Sequence, residues 1–162
     1  MKHEDKKDMM TPMNHVSYSP EDTQRFAREQ ALLLIKEANG QPLVIALEGE
    51  LGAGKTTFTQ AFAKALGVKE NLKSPTFVLM KHYSLKDIPN YQTLYHFDCY
   101  RLNSSADLIP LGTKEIINQP GVIVLMEWAE RVGDILPRNH WVIKIEHVSE
   151  QQRNISVAKV ID

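Results

Sequence analysis

Residues 49–56 of this sequence, Gly-Glu-Leu-Gly-Ala-Gly-Lys-Thr, have the types and the spacing that can bind a phosphate chain. A glycine, four residues and Gly-Lys-Thr form a P-loop pattern, whose glycines let the backbone approach a phosphate closely. The loop amides and the positive end of the following helix then face the phosphates. Lys55 is expected to reach the β- and γ-phosphates, and Thr56 is expected to ligate Mg²⁺. The alternative is a glycine turn before an ordinary surface helix.

Two carboxylates at the ends of strand-like runs are candidates for chemistry at these phosphates. Glu127 directly follows the apolar run 122–126, as the acid of a Walker B element follows its buried strand near Mg²⁺. The alternative for Glu127 is a solvated acid at a strand end. Asp98 lies at the end of the run 93–99 and could orient an attacking water or contact Mg²⁺ through water. An ion pair with Arg101 alone explains Asp98 equally well.

Other side chains near these motifs allow both a functional and a purely structural interpretation. Thr76 follows Pro75, so its hydroxyl could sense a γ-phosphate as switch loops do, although ordinary turn chemistry is favoured by the residues alone. Trp128 could pack over a nucleotide or fill the core, and aromatic residues usually do the latter. His96 and Cys99 have no partner at metal-ligand spacing, and Cys99 is expected to be a small core residue.

Hydrophobic periodicity predicts the helices and strands that must position these residues. A capping signature at Ser19 and Pro20 begins a first helix that Asn39 and Gly40 end, and residues 56–66 form a second helix after the loop. The strands are predicted at residues 43–47, in a run that ends at 83, and at 93–99, 122–126, 141–147 and 155–161.

The order of these elements predicts the class of fold. Residues 103–118 contain Pro110 and Gly112, which predicts broken helical turns there, and a short helix is expected at 130–136. Alternating strands and helices predict an α/β fold, a P-loop NTPase-like three-layer fold with a largely parallel central sheet and additional antiparallel strands. Ligands of such sheets bind beyond the carboxyl ends of the strands, where the loop and Glu127 both fall.

Composition sets limits on the organisation of the chain and on its partners. With 43% hydrophobic and 24% charged residues among 162, we expect a single domain over residues 16–162 after a polar, disordered N-terminal tail, residues 1–15. A formal net charge of −1 gives no overall basic field, so any RNA contact is expected to be local or through a partner. The single cysteine excludes an intrachain disulfide. No run approaches transmembrane length or a signal-peptide core, which favours a cytoplasmic protein without membrane contact.

Four segments of the sequence occur in an order and spacing that are more specific than the loop alone. They are residues 49–58, Ser74-Pro75-Thr76-Phe77, His96-Phe97-Asp98-Cys99-Tyr100-Arg101-Leu102 and Glu127-Trp128. Together they resemble the bacterial TsaE (YjeE) family, the small ATPases of tRNA threonylcarbamoyladenosine biosynthesis. The resemblance covers about residues 19–147, which is most of the chain.

This resemblance implies a P-loop ATPase that binds ATP and Mg²⁺ and hydrolyses ATP weakly when it is alone. It implies the TsaD and TsaB proteins as partners, which attach the threonylcarbamoyl group to the tRNA adenosine next to the anticodon. The protein itself would not perform that transfer, and it would meet tRNA only indirectly, through the complex.

The resemblance also implies roles for individual residues. The catalytic set would be Lys55, Thr76 at a switch-like position, Asp98 as the acid needed for hydrolysis, and Glu127. Thr56 and Glu127 would hold the metal. The residues that bind the nucleotide would be Gly49, Gly52, Ala53, Gly54, Lys55, Thr56, Thr57, Trp128 and Arg153.

Two other functions stay open from the sequence. A P-loop small-molecule kinase would use Asp98 as the base for a substrate hydroxyl. Such kinases usually add a lid that carries arginines. In this sequence, Arg131 and Arg138 are the only arginines between Arg101 and Arg153. A nucleotide-dependent switch would control a partner through its bound state, without a catalytic need for hydrolysis.

Overall fold

A computed structural model gives the structure of the chain and describes residues 8–9, 11–75 and 77–161. The strands in this part of the chain are β1 Asp8–Met9, β2 Met13–Ser17, β3 Leu43–Glu48, β4 Met80–Ser84, β5 Thr93–Asp98, β6 Val122–Glu127, β7 His140–His147 and β8 Arg153–Ile161. The α-helices are α1 Pro20–Ala38, α2 Lys55–Ala65 and α3 Thr113–Ile116, and 3₁₀ segments span Ser105–Leu111, Ala129–Arg131 and Gly133–Ile135.

The described strands form one mixed sheet in the order β1-β8-β7-β3-β6-β5-β4, with β2 also paired to β8. The centre, β7-β3-β6-β5, is parallel, and the pairs at both edges are antiparallel. Strand β6 is buried along its whole length, as a central strand covered on both faces must be. The predicted fold class is therefore confirmed.

Two apolar clusters cover the two faces of this sheet and make three layers. The helices α1 and α2 pack on one face, over residues such as Ile45 and Leu125. On the other face, α3 and the 3₁₀ segments pack over residues such as Val44 and Val124. Because side chains alternate along a strand, each central strand supplies both clusters. The helix α2 and the ends of β5 and β6 thus meet on one face.

Helix α1 begins and ends as its sequence predicts. The side chain of Ser19 accepts a hydrogen bond of 3.0 Å from the amide of Asp22, and Pro20 occupies the first turn. Asn39 ends the helix in the left-handed conformation, with φ 47°.

Among the described residues, no helix is both long and apolar enough to cross a membrane.

Two segments differ from the prediction. Residues 8–9 and 13–15, assigned to a disordered tail, form strands that pair with β8, with Met13 opposite Val157. An open strand edge offers unpaired amides and carbonyls, which a polar segment can pair through its backbone alone. Residues 130–136 form parts of two 3₁₀ turns instead of one helix, whereas 103–118 contains the broken turns that Pro110 and Gly112 predict.

Candidate functional site

A cavity of about 470 Å³ lies beyond the carboxyl ends of β3, β5 and β6. It brings together most of the predicted site residues, namely Gly52, Gly54, Lys55, Thr56, Thr57, Asp98, Glu127 and Trp128. A larger cavity of about 820 Å³ lies at the amino ends of β3 and β7 and contains none of the predicted site residues. The smaller cavity is the candidate site, because the predicted chemistry is there.

We call residues 49–57 the loop wall of this cavity, and its glycines have two different tasks. A Cβ on Gly49 would lie 2.5 Å from the carbonyl oxygen of Ile145, so this position fixes the loop closely against β7. Gly54 has φ 107° and caps α2 without a side-chain hydrogen bond. A Cβ on Gly52 or Gly54 would meet nothing within 4 Å, so the loop leaves open space where a ligand can approach its backbone.

The first turn of α2 faces this open space without a competing negative charge. Its first turn contains no acidic residue, and its cap, Gly54, offers no acceptor side chain to the free amides. The N-terminus of an 11-residue helix carries partial positive charge, so the amides of Thr56 and Thr57 are available to an anion. The loop wall therefore suits a phosphate chain.

Lys55 adds a cation to the loop wall and is almost completely buried. Its ammonium donates hydrogen bonds to the carbonyl of Gly49 and, at 2.9 Å, to that of Glu50. It also lies 4.1 Å from the centroid of the Trp128 ring. Burial lowers the pKa of Lys55, while nearby carboxylates, that of Glu127 foremost, oppose this shift. The side chain is a cation held at the cavity by two neutral backbone carbonyls.

Asp98 and Glu127 form the opposite side, which we call the acidic wall. They are register partners at the ends of the parallel strands β5 and β6, and both are buried. Asp98 accepts a hydrogen bond of 2.9 Å from the amide of Tyr100 and another from the hydroxyl of Ser74. These bonds fix the carboxylate at the cavity. The guanidinium of Arg101 lies over the Phe77 ring and forms no ion pair with Asp98.

Glu127 has a partner that the sequence interpretation missed. Its Oε2 lies 2.6 Å from Nε2 of His96, and both side chains are buried. The sequence places these residues 31 positions apart, so no local spacing reveals the contact. The pairing of β5 with β6 sets Asp98 opposite Glu127 and His96 opposite Leu125, so His96 lies diagonally from Glu127 on the same face of the sheet. The contact of Ser74 with Asp98 was also missed, because Ser74 lies in a loop 24 positions before Asp98.

Trp128 lines the cavity and also packs against the core, whereas its contact with a nucleotide stays a prediction. Its backbone adopts a left-handed conformation with φ 58°, which is uncommon for a bulky residue and marks a constrained position. The Tyr100 ring lies 4.9 Å away, and the guanidinium of Arg131 lies 5.5 Å from the Trp128 ring. Trp128 therefore links the loop wall, through Lys55, to the segments that follow β5 and β6.

The remaining predicted residues lie near the cavity or outside the description. Arg153 donates a hydrogen bond of 3.0 Å to the carbonyl of Ala53 and supports the loop from behind, so its contact with a nucleotide stays a prediction. Thr76 lies outside the described residues, and its role stays a prediction. Cys99 is fully buried in the core, as predicted. Burial is the largest cause that raises the pKa of its thiol to about 12, and the nearby charge of Asp98 is the next.

The comparison with protein families agrees with the motifs. A family model described as "Threonylcarbamoyl adenosine biosynthesis protein TsaE" matches residues 17–155. The chain belongs to the TsaE family. The resemblance that the four sequence segments indicate is therefore confirmed, and the match covers the loop wall, the acidic wall and Arg153.

Individual TsaE proteins and one solved structure show the same relationship. The protein named TsaE in Treponema pallidum (strain Nichols) is 38% identical over 146 residues, which covers 90% of this chain and all of that protein. The one in Bacillus subtilis (strain 168) is 37% identical, covering 88% of this chain and 82% of its own length. The crystal structure of YdiB from Bacillus subtilis superposes with a TM-score of 0.69 at 33% identity, covering 93% of this chain and 86% of that one.

Proposed function

We propose that this protein is a Mg²⁺-dependent ATPase required for the threonylcarbamoyladenosine modification of the tRNA adenosine next to the anticodon. It acts with a TsaD–TsaB complex in the cytoplasm and does not transfer the group itself. The observation that carries the ATPase proposal is the single cavity between a cationic loop wall and a pair of buried carboxylates. Membership of the TsaE family carries the link to tRNA.

The loop wall fits a triphosphate. The open space over Gly52 and Gly54 and the free amides of the first turn of α2 can receive the phosphate oxygens. Lys55 can exchange its two backbone carbonyls for the β- and γ-phosphates, because these neutral partners bind an ammonium less strongly than a charged phosphate does.

The acidic wall fits a metal ion that is bound partly by protein side chains and partly by the phosphates. Thr56 and Glu127 both line the cavity, and we assign them to Mg²⁺. Among the described residues, no group of three or more His, Cys, Asp or Glu side chains could hold a metal ion alone. Mg²⁺ commonly binds through one or two protein groups, with phosphate and water completing its coordination. When bound, it neutralises charge that develops on the phosphates.

Asp98 is the group that we assign to the attacking water. Its carboxylate is buried at the cavity and held by the Tyr100 amide and the Ser74 hydroxyl, so it can accept a proton from water in a fixed orientation. The water oxygen bonds to the γ-phosphorus, and the bond from that phosphorus to the bridging oxygen of ADP breaks. Lys55 stabilises the charge on the leaving phosphates. The products are ADP and inorganic phosphate.

The partner complex explains how a protein with no basic field can serve tRNA. The formal net charge is −1, which gives no electrostatic attraction for a polyanion over the whole surface. Relatives that are 38% and 37% identical are named as tRNA threonylcarbamoyladenosine biosynthesis proteins. We therefore assign tRNA binding to TsaD–TsaB, and the ATP cycle to this chain.

An ATPase assay with and without TsaD–TsaB and tRNA tests this proposal. We expect slow release of phosphate by the protein alone and faster release with the complete complex. Phosphate found on a small hydroxyl compound would instead identify a kinase. Restoration of the tRNA modification by a variant that binds ATP but cannot hydrolyse it would identify a switch. Failure of the wild-type protein to bind ATP would contradict all three.

A further inference from the structure

We propose that His96 is a positioning residue, which holds the Glu127 carboxylate in the orientation that ligates the metal. This inference rests on the proposed function, because it concerns the metal ligand of that site. It starts from the contact of 2.6 Å between Nε2 of His96 and Oε2 of Glu127. His96 is 1% exposed and Glu127 is 4% exposed, so water does not weaken this hydrogen bond.

Ligation of a metal by Glu127 would determine which of the two groups donates the hydrogen bond. A carboxylate that ligates a metal is ionised and can only accept hydrogen bonds, so Nε2 of His96 must donate. The other ring nitrogen, Nδ1, is buried and has no hydrogen-bond partner among the described residues. Glu127 is therefore the one hydrogen-bond partner that the described structure gives to the imidazole of His96.

The contact also divides the Glu127 carboxylate between two tasks. Oε2 faces His96, and this leaves the second oxygen for the cavity that Glu127 lines. Lys55 interacts electrostatically with Glu127, yet the two side chains form no ion pair in the structure. Without His96, the carboxylate would be free to turn toward the ammonium. An ion pair formed in this way would make the Glu127 carboxylate unavailable to the metal and the Lys55 ammonium unavailable to a phosphate.

A role in packing alone does not account for this arrangement. A buried histidine with one unpaired nitrogen destabilises the fold through the desolvation of that nitrogen. An apolar side chain of similar size would fill the same space without this penalty. Partners that orient a metal ligand have a separate effect, because their loss typically weakens metal binding by about 10- to 100-fold. Metal affinity therefore distinguishes positioning from packing.

The test compares three variants of the full chain. In His96→Gln the amide nitrogen can reach Oε2 as Nε2 does, so the contact is kept. In His96→Asn the shorter amide reaches only the position of Nδ1, and in His96→Leu the donor is absent. The affinity for Mn²⁺ is measured by electron paramagnetic resonance in the presence of a non-hydrolysable ATP analogue. Nucleotide binding in EDTA and the melting temperature are measured on the same samples.

We expect His96→Leu and His96→Asn to bind Mn²⁺ at least ~10-fold more weakly than wild type, whereas His96→Gln stays within about threefold. Binding of the analogue in EDTA should not change. Wild-type affinity in His96→Leu, or equal losses in His96→Gln and His96→Asn, would overturn the positioning role. Loss of folding in both His96→Leu and His96→Asn would also overturn it, in favour of a purely structural role. Failure of the wild-type protein to bind Mn²⁺ and the analogue would instead contradict the proposed function.

Discussion

The loop wall is one continuous stretch of chain, whereas the acidic wall is assembled from two strands. Residues 49–57 carry their own backbone geometry, their helix terminus and their cation, and Gly49 fixes them to β7. Asp98 and Glu127 become neighbours only because β5 pairs with β6 in one register. Each carboxylate is then held by a separate partner, Ser74 or His96.

From this difference in construction we expect nucleotide binding and ATP turnover to be separable by substitutions in this cavity. The loop wall supplies hydrogen-bond donors and positive charge, which in the proposed function bind the phosphate chain. The acidic wall supplies acceptors, which we assign to a water molecule and a metal ion. Changes to the first wall should therefore reduce nucleotide binding, and changes to the second should reduce hydrolysis or metal binding with little loss of the nucleotide.

The largest effect should follow from Lys55→Ala. The change removes the only cation of the loop wall and leaves its amides, so we expect kcat/KM for ATP to fall by about 10³-fold, the upper range for one preorganised donor. Binding of a fluorescent ATP analogue and phosphate release are the measurements. The matched control is Lys64→Ala, an exposed lysine near the other end of α2, which should leave both values unchanged. Normal ATP binding by Lys55→Ala would contradict the role of this wall.

The next effect should follow from Asp98→Asn. The amide keeps the shape of the carboxylate but accepts no proton, so kcat should fall by at least ~10²-fold, as for loss of a general base. The dissociation constant of ATP should stay within about threefold of wild type, because this wall does not bind the phosphate chain. Asp107→Asn, at an exposed acid, is the control. An equal loss of binding and turnover would remove the proposed division between the walls.

These two expectations also show what the sequence can and cannot predict. The loop wall was predicted residue by residue, because its chemistry depends on neighbours within the same short segment. The central strands were predicted to within a residue or two from their apolar runs. The contact of His96 with Glu127 was not predicted, because it depends on which strands are neighbours. The pairing of residues 13–15 with β8 was missed because backbone pairing leaves no apolar pattern.

The smallest effect should follow from Trp128→Phe. Lys55 and Trp128 both line the cavity, so the ammonium can reach a phosphate while it stays against the ring. A smaller ring holds the ammonium less firmly in the position from which it can reach a phosphate, so we expect ATP binding to weaken by about two- to fivefold, which corresponds to the 0.5–1 kcal/mol typical of a cation–π contact. Calorimetric titration measures this change. Trp141→Phe is a matched control, because Lys159 lies 5.4 Å from the Trp141 ring at the opposite end of the sheet.

Equal weakening of ATP binding in Trp128→Phe and Trp141→Phe would mean that general packing, not the contact with Lys55, explains the effect. An unchanged affinity in both would remove Trp128 from the nucleotide site. We therefore expect ATP binding to depend on Trp128 at the carboxyl end of the central strands and not on Trp141 at their amino end.

The two walls are proposed to direct a water molecule to the γ-phosphorus of ATP. Turnover of ATP in ¹⁸O-labelled water, with TsaD–TsaB and tRNA present, tests this most directly. This proposal predicts that the released inorganic phosphate carries one oxygen from the labelled water, that ADP carries none, and that Asp98→Asn slows release of the labelled phosphate by at least ~10²-fold. Unlabelled phosphate, label in ADP, or phosphate transferred to another hydroxyl would contradict it.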